Sequence, residues 1–272
     1  MKVSLVISTY NWKEALYLSL LSVKQQTQYP YEVIIADDGS RNNTSLMIEE
    51  VRKDFPCTLK HIWQEDDGFR KSAIMNKAFA HCEGDYIIQI DGDIIMNSHF
   101  IEDHISEARE GYYVHGSRGK IDKQLTQALL RKKIYNIHLY TKGLKRKFNT
   151  LRIPFLSPLF YKYKENSKER GCNLAFWKQD LYATNGYDER MIGYGYEDID
   201  LPARLRRLGV KKRFIKFKAI EYHLDHDSTE TKHDMSHNKA IFDENNMKKI
   251  IHIESGIDQC TKQINIDIIN NL

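Results

Sequence analysis

Two carboxylates one residue apart, Asp91 and Asp93, close the apolar run Tyr86-Ile87-Ile88-Gln89-Ile90, with Gly92 between them. A strand that ends this way sets hard oxygen ligands at a sheet edge. Mg and Mn favour such ligands, particularly where a phosphate completes the shell. Asp-Gly is also an ordinary turn signal, so the pair alone decides nothing. An unpaired buried carboxylate is costly, and a bound cation removes that cost. Asp93, at the far end, is the better direct ligand, and Gly92 is expected to leave room for a large group to approach.

Three further polar clusters accompany this pair. Ser8-Thr9-Tyr10-Asn11 and Asp37-Asp38-Gly39-Ser40 each follow an apolar run, and Arg70 follows Asp66-Asp67-Gly68-Phe69. A carboxylate such as Asp38 can accept from a uracil-type N–H or a ribose hydroxyl, or it can cap the helix that follows. Tyr10 can stack on a base. Arg70 can pair with phosphate or take part in a weak surface ion pair. Glu197 and Asp198 open a helical pattern behind the loop Gly193-Tyr194-Gly195-Tyr196. Acids in a first turn are stabilised by the macrodipole, which is expected to lower their pKa and keep them ionised, ready to accept a proton from an attacking hydroxyl. His223 and His226 sit in Glu221-Tyr222-His223-Leu224-Asp225-His226. A neutral imidazole suits Mn, and His223 is the favoured ligand of the two, although a lone histidine is more often structural.

The elements that must position these groups are legible from periodicity. Residues 3–8, 31–36, 58–63 and 86–90 read as strands, and 12–26, 44–53 and 71–80 as helices, with Asn11 as N-cap of the first helix. Repeated βα units imply an α/β fold, a Rossmann-like and mostly parallel central sheet flanked by helices. Right-handed crossovers then put every strand C-terminus on one edge, where α/β sheets bind ligands. The four clusters ending at Asn11, Ser40, Arg70 and Asp93 all fall there. Farther on, 171–177, 213–217 and 219–223 read as strands, 197–208 as a helix stopped by Gly209, and 236–251 as a helix.

The chain has 272 residues, and 41 Lys and Arg against 37 Asp and Glu give a net charge of +4, so global charge singles out no partner. Residues 120–168 differ: thirteen are basic and two acidic. Two readings stand: a solvated helical insertion packed on the core, or a basic amphipathic surface for anionic lipid or a phosphorylated acceptor. Nucleic acid is disfavoured because no recognition motif accompanies the charge. With Met1-Lys2 running straight into a strand pattern, no leader is expected, and no apolar stretch reaches roughly 20 residues. Cys57, Cys82, Cys172 and Cys260 form no metal or disulfide spacing. A cytoplasmic setting is expected, with peripheral contact at the inner face of the cell membrane through the basic segment.

In their order along the chain, Ser8-Thr9-Tyr10-Asn11, Asp37-Asp38-Gly39-Ser40, Asp91-Gly92-Asp93 and Gly195-Tyr196-Glu197-Asp198 resemble the motifs of family-2 inverting glycosyltransferases of the GT-A fold. The second half is similar to the galactosyltransferase-type C-terminal module, as found with bacterial chondroitin polymerase domains and β-1,4-galactosyltransferases. The resemblance covers about residues 2–118 and 170–250 and leaves out the basic segment. With the composition shift it divides the chain into a nucleotide-sugar-binding half (1–118), a basic helical insertion (119–169) and an acceptor-binding, catalytic half with a C-terminal helix (170–272), expected in one compact domain. Ser8, Tyr10, Asp38 and Arg70 would contact the nucleotide of a UDP-sugar. Asp91 would lie near the ribose and donor sugar, and Asp93 and His223 would bind Mn or Mg. Asp198 would be the general base and Glu197 an acceptor-binding neighbour, the acceptor being a glycan or a lipid-linked saccharide. Tyr194-Gly195-Tyr196 replaces the family's Trp-Gly-Gly, and a tyrosine beside Glu197 narrows the site and bears on sugar preference.

Two other classes remain on the residues alone. A nucleotidyltransferase would need a glycine-rich basic loop after the first strand, where Ser8-Thr9-Tyr10-Asn11-Trp12 has no glycine. A non-catalytic glycan- or membrane-binding module would work through the basic segment.

Overall fold

A computed structural model describes residues 1–133, 135–162, 169, 171–226 and 234–261; Ile134, positions 163–168 of the basic segment, Arg170, positions 227–233 and the tail after 261 lie outside the described residues. Strands β1 (Val3–Thr9), β2 (Glu32–Asp37), β3 (Thr58–Trp63) and β4 (Tyr86–Asp91) alternate with helices α1 (Lys13–Val23), α2 (Asn42–Arg52) and α3 (Lys71–Ala80), as the periodicity predicts. β1 pairs in parallel with β2 and β4, and β2 with β3. Successive side chains alternate between faces. Val3, Leu5 and Ile7 therefore join one core cluster, while Val6, Ile34 and Ile87 join a second one with Ile74, Ala78 and Phe79 of α3.

The chain continues through β5 (Ile94–Met96), α4 (Phe100–Glu107), β6 (Tyr112–His115), β7 (Ser117–Ile121), α5 (Lys123–Lys132) and β8 (Leu144–Lys145). Then come β9 (Leu174–Trp177), α6 (Lys178–Ala183), α7 (Glu197–Arg207), β10 (Lys211–Phe214), β11 (Ile220–His223) and α8 (Ser236–Met247). The main sheet has the order β10-β6-β9-β4-β1-β2-β3, and β9 runs antiparallel to both its neighbours. Its first residues therefore reach the edge where β1 to β4 end. A second sheet, β5-β11-β7-β8, folds over a third core cluster that includes Leu18, Ile95, Leu129 and Ile220. Within the basic segment the described residues hold one α-helix, α5, which Asp122 caps through Leu125 N–H, followed by short 3-10 turns.

Two local expectations are corrected. Asn11 does not cap α1: Trp12 takes the N-cap position, while Asn11 adopts a positive φ of 47° and its side-chain oxygen accepts from Arg41 N–H. Gly92 does not clear space for a ligand. A Cβ there would meet the Ser8 carbonyl oxygen at 2.8 Å, so its role is to let the ends of β4 and β1 close together.

Candidate active site

Pairing of β5 with β11 sets Ile94 opposite His223, and Leu224 N–H donates to the Asp93 carbonyl. The Asp93 carboxylate thereby meets two imidazoles. Its Oδ2 lies 3.4 Å from His223 Nε2 and 3.6 Å from His226 Nε2. The candidate ligand atoms of the three residues lie within 4.8 Å of one another, the one such group among the described residues. Asp93 Oδ1 is buried without a hydrogen-bond partner. Burial raises the Asp93 carboxyl above its ordinary value against the pull of His223, and burial lowers the His223 imidazole, keeping it neutral and free to donate a lone pair. An oxygen and two nitrogens, one oxygen unsatisfied, fit a Mn- or Mg-type cation. His226 joins this group, although the sequence favoured His223 alone.

Asp91, the last residue of β4, stands beside that cluster. Its Oδ1 accepts from Ser8 Oγ at 2.9 Å and pairs with Lys71 Nζ at 2.6 Å. Burial opposes the charge on Asp91, but the Lys71 ammonium outweighs it and holds the carboxyl below its usual range. Lys71 in turn is held charged by Asp91 and Glu197 against the same burial. Lys71 is a site residue that the sequence reading missed. One signal was available: a cation in the first turn of α3 opposes the helix dipole and needs a partner.

Glu197 and Asp198 open α7 on the far side of Lys71. Gln89 of β4 donates to the Gly171 carbonyl at 2.8 Å, and Gly171 N–H donates to Asp198 Oδ2 at 3.1 Å. A Cβ on Gly171 would meet that of Asp198 at 3.2 Å, so glycine is what lets the backbone come this close. Glu197 is pushed up to about 7 by burial and by the Asp198 charge, and Asp198 is also raised by burial despite the Gly171 N–H and Lys71. This reverses the expected lowering, because desolvation here exceeds the helix-dipole contribution. The preceding loop is pinned on both sides. Gly193 N–H donates to the Phe69 carbonyl, the Phe69 and Tyr194 rings meet edge-on at 6.4 Å, and Asn238 of α8 donates to the Gly195 carbonyl. Tyr196 takes a left-handed φ of 73°, and its ring lies on Phe242 of α8.

At the other end of the edge, each Asp38 oxygen holds a neighbour: Gln64 Nε2 at 2.6 Å and Arg70 N–H at 2.8 Å. The Arg70 guanidinium turns to the Glu65 carbonyl and to Asp67, and the half-exposed Tyr10 donates to Asp66 at 3.0 Å. These groups line one end of the sheet edge but are tied to the 65–70 loop, whereas Ser8, Lys71, Asp91, Asp93, Glu197, Asp198 and the two histidines converge.

The chain is similar to known proteins. The model of glycosyl transferase family 2 matches residues 4–168, and that described as the N-terminal domain of galactosyltransferase matches 154–227. The first runs through the basic segment, which the motif resemblance had left out. A glycosyltransferase of Bacillus subtilis, YfnE, is 28% identical over 84% of this chain and 66% of its own length. The chondroitin synthase of Escherichia coli is 29% identical over 88% of this chain and 37% of its own. This chain thus spans only part of either relative. A solved mannosyltransferase from Pyrobaculum calidifontis, in complex with GDP-Man and Mn2+, superposes with a TM-score of 0.56 at 16% identity. It covers 82% of this chain and 56% of that one, and it shows the same GT-A fold. With a family match over more than half its length, the chain belongs to glycosyl transferase family 2.

Proposed function

We propose that this chain moves a hexose or N-acetylhexosamine from a UDP-sugar to a hydroxyl of a glycan or lipid-linked acceptor, by a metal-assisted single displacement that inverts the anomeric centre. One observation carries the reading. Strand β4 is followed by Asp93, whose carboxylate meets His223 and His226, and Gln89 of the same strand holds Gly171, whose N–H binds Asp198, which supports a cation-binding group and a proton acceptor acting together.

Asp93, His223 and His226 would hold the divalent cation, Mn or Mg. When bound, the cation neutralises the charge on the departing nucleoside diphosphate. Asp198 takes the proton of the attacking hydroxyl, with Gly171 N–H fixing the carboxylate's direction. Its raised pKa makes it a better acceptor than an ordinary aspartate once ionised. Glu197 binds the acceptor behind it. Asp91 and Ser8 face the ribose and donor sugar, and Lys71 keeps Asp91 ionised there. Asp38, Arg70 and Tyr10 form the nucleotide end. No enzyme nucleophile is required, because attack comes from the face opposite the leaving group.

Calorimetry with a panel of UDP- and GDP-sugars, with and without Mn, followed by assay of UDP release, tests this. The expected result is metal-dependent binding of one UDP-sugar with slow hydrolysis. Binding of no UDP-sugar, or binding indifferent to Mn, overturns it.

A further inference from the structure

Residues 140–159 present large apolar side chains among basic ones. Phe148 and Phe155 are each 79% exposed, Leu159 is 77% and Tyr140 is 88%. Lys142, Lys145, Arg146 and Lys147, between Tyr140 and Phe148 in the sequence, are exposed as well. This exposure does not come from a loosely held backbone. Asn149 donates to the Arg118 carbonyl and accepts from Lys216 Nζ at 2.9 Å, and Ile153 N–H donates to the Phe217 carbonyl at 3.1 Å. The Phe160 ring packs on Phe217 at 5.3 Å, and Arg152 pairs with Asp103 at 2.7 Å. Both 3-10 turns, Lys147–Thr150 and Pro154–Phe160, are thus tied to Lys216-Phe217, with Phe148, Phe155 and Leu159 left exposed.

We infer that this surface docks the protein on an anionic lipid bilayer. Ammonium and guanidinium groups match phosphate headgroups, while two phenylalanines and a leucine find apolar contact only below the headgroup plane. A hydrated acidic glycan would satisfy the charges but not the leucine. The location adds a reason. β8 pairs Lys145 with Lys120, and β7 pairs Lys120 with His223. At roughly 4.8 Å per strand, the backbone of Lys145 lies about 10 Å from that of His223. A membrane at this surface therefore borders the candidate active site. Resting on the proposed transfer reaction, this selects the lipid-linked acceptor over a free glycan.

Sedimentation of the full chain with vesicles tests the inference without donor or acceptor. Vesicles of phosphatidylcholine with phosphatidylglycerol should pellet the protein, and phosphatidylcholine alone should not. Lys145→Glu/Arg146→Glu/Lys147→Glu and Phe148→Ser/Phe155→Ser/Leu159→Ser should each lower the partition coefficient about 10-fold or more. Circular dichroism is expected to be unchanged in both, and UDP-sugar binding in the serine variant, whose three residues lie in the 3-10 turns and not on the strands that carry the site. A wild-type protein that stays in the supernatant overturns the inference. So does a serine variant that pellets as well as wild type, because the association would then be that of any polyanion. A chain that pellets but transfers no sugar leaves the docking surface standing and removes the proposed activity alone.

Discussion

Lys71 Nζ lies 2.6 Å from Asp91 Oδ1, so the carboxylate at the end of β4 enters the site already paired with a cation from the first turn of α3. Both are mostly buried, at 17% and 29% side-chain exposure, and removing one leaves the other charged and desolvated. Lys71→Met should destabilise the fold by about 2–4 kcal/mol, and adding Asp91→Asn should recover part of the loss. Urea denaturation of the two single variants and the double variant measures the coupling. Strictly additive losses would show that the pair is not a pair.

Asp198→Asn should abolish transfer, by about 10³-fold or more in kcat, while leaving UDP-sugar affinity nearly intact. The amide keeps the shape and can no longer accept the proton. Single-turnover transfer set beside calorimetric donor binding reads both. Full transferase activity in this variant would sink the assignment of the base.

Asp93→Ala should weaken Mn-dependent donor binding about 10²-fold, and His226→Ala about 10-fold. The histidine matters because its Nε2 is only 3.6 Å from the Asp93 carboxylate, hardly farther than that of His223. Titrating Mn against each variant at fixed donor separates metal from nucleotide affinity. An unchanged Mn requirement in Asp93→Ala counts against the cation site.

Glu197 gives a pH signature. Burial lifts its carboxyl from 4.5 to about 7 in the folded chain. A carboxyl raised on folding costs stability when ionised. The cost is absent below pH 4.5, grows from there to about 7 and is constant above. Glu197→Gln should therefore raise the unfolding free energy measured in urea at pH 8 by about 1–3 kcal/mol and leave it unchanged at pH 4. The wild-type rate should also fall as pH drops through 7, an inflection belonging to the Glu197 and Asp198 pair together. A stability gain equal at both pH values would contradict this origin.

Much of this was legible in the residues. Asp91, Asp93, Asp38 and Ser8 could be placed on one edge because apolar runs of strand length precede them and parallel topology aligns their ends. His223 could be suspected from its strand-end position. β6 and β7 could not be read, because Gly116, Arg118, Gly119 and Lys120 look like a loop. The small residues are there for close approach: a Cβ on Gly116 would strike the Asn173 side chain, and one on Gly119 the Thr150 methyl. Packing sets those positions, and propensity is overridden. The direction of β9 was also hidden, since nothing in Leu174-Ala175-Phe176-Trp177 distinguishes parallel from antiparallel pairing. Lys71 and the Gln89–Gly171–Asp198 chain of contacts join residues far apart in sequence, which periodicity does not reveal. The sign of the Glu197 and Asp198 shifts was misread for a related reason: the helix dipole is visible in sequence and burial is not.

β9 also has a consequence for how the molecule is made. Its pairing joins Tyr86 of β4 to Trp177, whereas β1, β2 and β3 find their partners among the first 91 residues. Contacts so far apart form late, and the amino-terminal unit emerges from the ribosome with its neighbours at hand. Until residue 177 arrives, the β4 edge stays open, a template for pairing with another nascent chain. A chain stalled in translation between β4 and β9 therefore carries this open edge, and a chaperone that covers a strand edge would protect it there.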